Sequence, residues 1–205
     1  MIRTLFVEPV AILALAGIVL VGVPWLIYED HPPEPGLVPY TAEQAAGRAT
    51  YVDLGCSYCH SQQPRDPSYA PDGERGWGRA STAGDYVYDS PHLLGTMRTG
   101  PDLFNIGARQ PSVDWHLLHL FQPRAVVSWS IMPSYPFLFE VKDAAGPDDR
   151  VVTVPAPWGP AAGVVVARPE ALALVAYLAG MDHTYPARDL PLRSKAEAAA
   201  PGGAP

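Results

Sequence analysis

Hydrophobic and polar positions divide the chain into three regimes. From residue 9 to 28 runs PVAILALAGIVLVGVPWLIY, twenty residues without a charge. As a helix at 1.5 Å per residue this covers about 30 Å, the thickness of a bilayer hydrocarbon core. Trp25 and Tyr28 stand at its end, where amphipathic rings favour the interface. Pro24 falls in the last turns and is expected to kink the helix. A cleaved signal peptide would be shorter in its apolar part and followed by a small-x-small site. The Ala14/Ala16 pair lies inside the run instead. An uncleaved anchor over residues 1–28 is therefore expected. Arg3 precedes it and Glu29, Asp30 and Glu34 follow, so the N-terminus is expected in the cytoplasm and the body on the outer face.

Beyond the anchor, residues 29–40 read as a proline-rich linker (HPPEPGLVP within it). Thr41 with Gln44 forms a capping-box pattern, opening a helix through AEQAAGRATYVD that stops near Gly55. Residues 61–89 carry no sustained period and read as loop. DWHLLHLF, within 113–121, has helical spacing. Two β-branched runs, VVTV and VVVA, flank the turn-rich APWGPAAG and predict a β-hairpin between 150 and 167. Residues 169–180 predict a last helix, with Pro169 in its first turn and Gly180 at its stop. The tail from 187 to 205 is Ala, Pro, Gly and charge, a composition that predicts disorder. The expected architecture is mainly α: one transmembrane helix, then a body over 41–186 with long loops and a β-hairpin insertion.

Composition sharpens this picture. Of 205 residues only 17% are charged, against about 25% in ordinary soluble chains, as an apolar anchor requires. The net charge of −7 offers no basic surface to meet phosphates and excludes nucleic-acid binding. The 24 prolines and 18 glycines exclude a coiled coil or simple helical bundle. Two cysteines exclude both a disulfide-stapled miniprotein and a four-cysteine zinc site. No P-loop or nucleophile–base signature appears, so the chain is expected to have no substrate chemistry of its own.

Those two cysteines carry the chemistry. Cys56-Ser57-Tyr58-Cys59-His60 is C-x-x-C-H, the attachment signature of c-type haem. Two thiols one turn apart can each form a thioether with a haem vinyl group, and the adjacent imidazole then meets the iron. A thioredoxin-like pair would need a βαβ context, and zinc would need further ligands at suitable spacing. Beyond a membrane anchor, with no other thiol in the chain, one covalent haem c is the expectation. A sixth iron ligand must come from elsewhere. Met132 in MPSYP is the leading candidate, a soft thioether; Met97 and Met181 are the alternatives. His116 and His119 lie one turn apart. They are either half-buried members of an amphipathic helix or ligands for a metal.

The segment TGPDLFNIGAR (99–109) resembles the stretch after the haem-binding helix in class I cytochromes c. That resemblance implies that the Pro101 carbonyl accepts Nδ1–H of His60 and that Arg109 approaches a haem propionate. It also implies a crossing of first and last helices, with Gly47 and Tyr51 meeting Leu174, Tyr177 and Leu178. At greater length, GLVPYTAEQAAGRATYVDLGCSYCHSQ, AGDYVYDSP, RTGPDLFNIGAR, DWHLLHLFQPRAVV and MPSYPFL together resemble the membrane-anchored monohaem subunit (subunit II) of cbb(3)-type cytochrome c oxidases. This implies an electron-transfer subunit in the bacterial inner membrane with its haem domain on the periplasmic face. Electrons would come from a dihaem cytochrome c subunit or a soluble cytochrome and go to the catalytic haem–copper subunit. The alternatives are the cytochrome c subunit of a nitric oxide reductase and a free-standing membrane-tethered cytochrome. Residues 140–168 depart from the family pattern, a hairpin replacing a helical stretch.

Overall fold

The computed structural model describes residues 2–188, with side chains from residue 6 onward. The tail expected from 187 lies outside the described residues after Arg188. The apolar N-terminal run is helical throughout: α1 (Ile2–Gly17), a π-helical turn (Ile18–Gly22) and α2 (Val23–Tyr28). Pro24 has no N–H for the carbonyl one turn back, and the helix widens just before it. The apolar span Phe6–Tyr28 makes no contact that buries it in the body, and its leucines, valines and isoleucines are exposed. Its length and composition are consistent with a single-pass membrane anchor.

The linker is fastened to the body. Glu34 is buried; its carboxylate accepts from the Thr82 hydroxyl (2.6 Å) and the Arg188 N–H (2.8 Å). The Arg188 guanidinium donates to the Pro33 carbonyl, and the Glu34 N–H donates to the Gly84 carbonyl. At Gly36 the ring of Tyr185 occupies the place of a side chain.

Three longer helices build the body. Helix α3 (Ala42–Asp53) opens with the reciprocal bonds expected of Thr41 and Gln44 (3.2 and 2.9 Å). It stops at Leu54, where Gly55 turns left-handed (φ 69°). After the short α4 (Ile106–Arg109) come α5 (Val113–Phe121) and α6 (Pro169–Gly180). Helices α3 and α6 cross at Gly47, whose α-carbon lies against the Ala173 carbonyl. Beside the crossing, Tyr51 and Tyr177 meet edge to face at 5.5 Å between ring centres. The core gathers Tyr51, Ile106, Leu117, Leu120, Leu174, Val175, Tyr177 and Met181 around this pair.

The predicted hairpin is present, but within a larger sheet. Strands β2 (Val151–Val152) and β3 (Val164–Ala167) pair antiparallel, Val151 opposite Val166 and Val152 opposite Val165. A strand not anticipated from sequence, β1 (Phe139–Lys142), pairs with the other edge of β3, giving the order β1-β3-β2. FEVK alternates apolar and charged residues but over only four positions, and its apolar face is not uniformly covered: Phe139 is buried and Val141 is exposed. Glu140 and Lys142, two apart and hence on one face, pair with each other at 2.9 Å. The strand exists because β3 is central. Val165 and Val166 are both buried, so its backbone needs partners on both sides.

Candidate functional site

The left-handed turn at Gly55 releases the chain from α3 into a 3₁₀ turn, Cys56–Tyr58. Cys59 N–H and His60 N–H both donate to the Cys56 carbonyl (3.1 and 3.0 Å). Cys56 and Cys59 thus stand three apart on a 3₁₀ turn, where side chains at that spacing eclipse. Both thiols are free, Cys56 half-buried and Cys59 exposed. Burial pushes the Cys56 thiol up to about 11. It is therefore a neutral thiol at physiological pH.

His60 follows on the same turn. Its Nδ1 sits 2.7 Å from the Pro101 carbonyl oxygen. A carbonyl only accepts, so Nδ1 carries the hydrogen, and Nε2 is the nitrogen left with a lone pair. Burial is the main influence holding this imidazole below the ordinary histidine range, with the Arg109 charge adding to it. The Pro101 bond and Asp102 oppose the shift but do not reverse it. A neutral imidazole fixed at Nδ1 is the form that binds a metal through Nε2.

The segment carrying Pro101 is laced to the segment carrying His60. Gly100 N–H donates to the Cys59 carbonyl (2.9 Å), and Leu103 N–H to the Ser61 carbonyl (2.8 Å). Fully buried Asp102 accepts from Ser61 Oγ (2.6 Å), Gln63 N–H (2.8 Å) and Phe104 N–H (2.9 Å). Arg98 spans Ser61 Oγ (3.0 Å), the Gln63 carbonyl (2.6 Å) and the buried Asp72 carboxylate (2.8 Å). Gly100 is required by space: a β-carbon there would lie 2.7 Å from both ring nitrogens of His60. The sequence reading singled out Pro101 and missed Gly100, Asp102, Arg98 and Asp72. Gly100 and Asp102 flank Pro101 in the chain, but only the folded path brings Arg98 and Asp72 together against Ser61 and Gln63, next to His60 in sequence.

The remaining predicted residues fall as follows. Arg109 donates through Nη2 to the Asp102 carbonyl (2.9 Å), while its buried Nη1 has no partner among the described residues. Met132 is half-buried and packs on the core together with Cys56, Leu93 and Tyr135. Its loop hangs from the end of α5 through Tyr135 N–H to the Leu120 carbonyl (2.9 Å) and Ser134 Oγ to Gln122 Oε1 (3.1 Å). Met97 is exposed, and Met181 is buried in the core beside α6. On α5, His116 is buried, its Nε2 2.8 Å from the Gln110 carbonyl. The His119 side chain makes no hydrogen bond to the described residues, and its Nδ1 is the other buried side-chain nitrogen or oxygen among them without a partner.

Two neighbouring thiols, a neutral imidazole with one nitrogen fixed and one free, and a buried guanidinium nitrogen lacking an acceptor define a site suited to an anionic, iron-bearing macrocycle. The donor set fits haem. A family model described as cytochrome c oxidase, mono-heme subunit/FixO, matches residues 2–155. The chain belongs to that family, and so is a haem-carrying, electron-transport subunit of a cytochrome c oxidase that associates with the catalytic subunit. No curated protein matches the chain.

Proposed function

We propose that this chain carries a single haem c, bound through thioethers to Cys56 and Cys59, with His60 and Met132 as axial ligands. The haem supplies one-electron redox chemistry; the protein sets its position and potential. His60, oriented by the Pro101 carbonyl, would hold the iron through Nε2, and Arg109 Nη1 would donate to a propionate. Met132 supplies a thioether, which raises the potential relative to a second nitrogen ligand. The domain over residues 41–186 is a class I cytochrome c domain, anchored by residues 1–28 in the bacterial inner membrane and facing the periplasm. It takes electrons from a dihaem cytochrome c subunit or a soluble cytochrome. It passes them to the haem–copper subunit of a cbb(3)-type oxidase.

The observation that carries the reading is the 2.7 Å contact between His60 Nδ1 and the Pro101 carbonyl beside the eclipsed cysteine pair. Covalent haem needs those thiols, and axial ligation needs that tautomer. The α3–α6 crossing at Gly47 supports the domain class. The buried Glu34 clamp favours a subunit held at one place over a cytochrome swinging on a tether.

The test is isolation from the native membrane in mild detergent. Copurification with a haem–copper subunit, one covalent haem per chain by pyridine haemochrome, and reduction and reoxidation during turnover are expected. A chain isolated alone, whose deletion leaves oxidase activity intact, would refute the assignment. In the oxidised protein the weak long-wavelength sulfur-to-iron charge-transfer band should vanish in Met132→Ala and survive in Met97→Ala.

A further inference from the structure

His60 is oriented by the Pro101 carbonyl, and that carbonyl is only as well placed as the segment carrying it. Residues 98–102 run so closely against the imidazole that Gly100 has no room for a side chain. Both ends of this segment are tied to one residue, Ser61, the chain neighbour of His60. At one end Ser61 Oγ donates to the Asp102 carboxylate (2.6 Å). At the other it accepts from Arg98 Nε (3.0 Å). A hydroxyl has one hydrogen to give and lone pairs to receive, so the two bonds together fix its direction. Ser61 and Asp102 are both buried, which leaves these bonds to protein groups.

Arg98 engages through all three guanidinium nitrogens. Besides Nε on Ser61, Nη2 donates to the Gln63 carbonyl (2.6 Å) and Nη1 reaches both oxygens of Asp72 (3.0 and 2.8 Å). Nη2 also lies 3.8 Å from the Asp102 carboxylate. The far partner is itself held: buried Asp72 accepts from Arg65 N–H (2.8 Å), and the Trp77 ring faces the guanidinium at 5.3 Å. The stretch from 61 to 78, which reads as plain loop in the sequence, is thus a socket for one arginine. Neutralising Asp72 would take a single contact. Arg98 makes two more, on Ser61 and Gln63, the first and third residues after His60.

We propose that Arg98 is a positioning residue for His60, fixing the plane of the imidazole at the iron by locking Ser61 and Gln63 against the Pro101 segment. The inference rests on His60 being the axial ligand of the preceding section. Without Arg98 the backbone bonds from Gly100 to Cys59 and from Leu103 to Ser61 remain, as does the Asp102 end of the segment. The loop therefore holds together and the ligand is kept. Ser61 loses the donor that sets its direction, and His60 beside it gains freedom to turn. Groups that fix the ring of a ligating histidine set its orientation and basicity, so the effect falls on the iron's surroundings and not on haem attachment. Lysine cannot replace Arg98: one ammonium does not span Ser61, Gln63 and Asp72 as the planar fork does.

The test uses the oxidised full-length protein bearing haem. The readouts are the g values of its electron paramagnetic resonance and the shifts of its haem-methyl protons, both of which follow the orientation of an axial imidazole plane. Arg98→Ala should keep covalent haem but replace the single wild-type pattern by shifted or doubled signals. Arg98→Lys, which keeps a charge beside Asp72, should show the same change, and it decides the question if the alanine variant does not fold. Arg48→Ala is the control. It removes an arginine of similar burial, paired with Asp89 at 3.1 Å, and should lower stability while leaving the signals as they are. Wild-type signals in either Arg98 variant, or the same spectral change in Arg48→Ala, would overturn the proposal. A wild-type protein without covalent haem would instead overturn the reading on which it rests.

Discussion

Replacing Gly47 by alanine should destabilise the body even though alanine is the better helix former. In an isolated helix the change is favourable by about 1 kcal/mol. Here the new β-carbon would coincide with the Ala173 carbonyl oxygen and lie 2.9 Å from the Leu174 nitrogen. Those are backbone atoms of α6, so no rotamer change relieves the clash and the helices must part. Overpacking of this kind costs about 1–3 kcal/mol and sometimes more, and the rigidity of both partners places it at the upper end. Parting the helices also loosens the Tyr51–Tyr177 edge-to-face pair at 5.5 Å, worth about 0.5–1.5 kcal/mol beyond its area. Subtracting the helical gain leaves a net loss of about 2–3 kcal/mol. With a urea slope of about 2 kcal/mol per molar, the midpoint should fall by about 1 M or more. The assay is urea unfolding of the full-length protein in detergent, followed by near-ultraviolet circular dichroism. Ala49→Gly, on the exposed face of the same helix, should cost only about 1 kcal/mol. A Gly47→Ala protein as stable as the wild type, or more so, would refute the close crossing as the reason for glycine.

Gly100→Ala should displace the His60 ring, since the added carbon would lie 2.7 Å from both its nitrogens. The expected outcome is normal covalent haem content with a weakened or mixed-spin iron spectrum; an unchanged spectrum would show that the loop yields instead of the ring. Acid stability should depend on Asp85. Burial pushes its carboxyl up, but the Arg79 hydrogen bonds, the Thr82 N–H and the Arg79 charge together outweigh burial and hold it below the ordinary carboxylate range. A folded-state pKa below the unfolded one gives stability that is present above about pH 4 and is lost as pH falls through the folded value. Unfolding free energies measured from pH 7 down should therefore fall more steeply below about pH 4 in the wild type than in Asp85→Asn, which starts lower. Parallel curves would remove Asp85 from the acid response.

Local chemistry made much of this protein legible from the chain alone. Twenty uncharged residues specify one long apolar helix, of the length a bilayer core requires. The Thr41/Gln44 box, Gly55, Pro169 and Gly180 place helix ends to within a residue or two, because end groups are satisfied by neighbours in sequence. C-x-x-C-H likewise places Cys56, Cys59 and His60 on one turn. What the chain could not disclose depended on partners distant in sequence. Strand β1 alternates over only four residues, too short a run to stand out in the sequence, and it forms because β3 needs a second neighbour. The proline-rich linker reads as a spacer, yet Glu34 is buried by bonds from Thr82 and Arg188, far along the chain. His116 and His119 are alike in sequence, yet Gln110 turns its carbonyl to one ring while the Nδ1 of the other has no hydrogen-bond partner among the described residues. Hydrogen-bond satisfaction in the interior is a property of the closed fold, and there the tertiary structure decides.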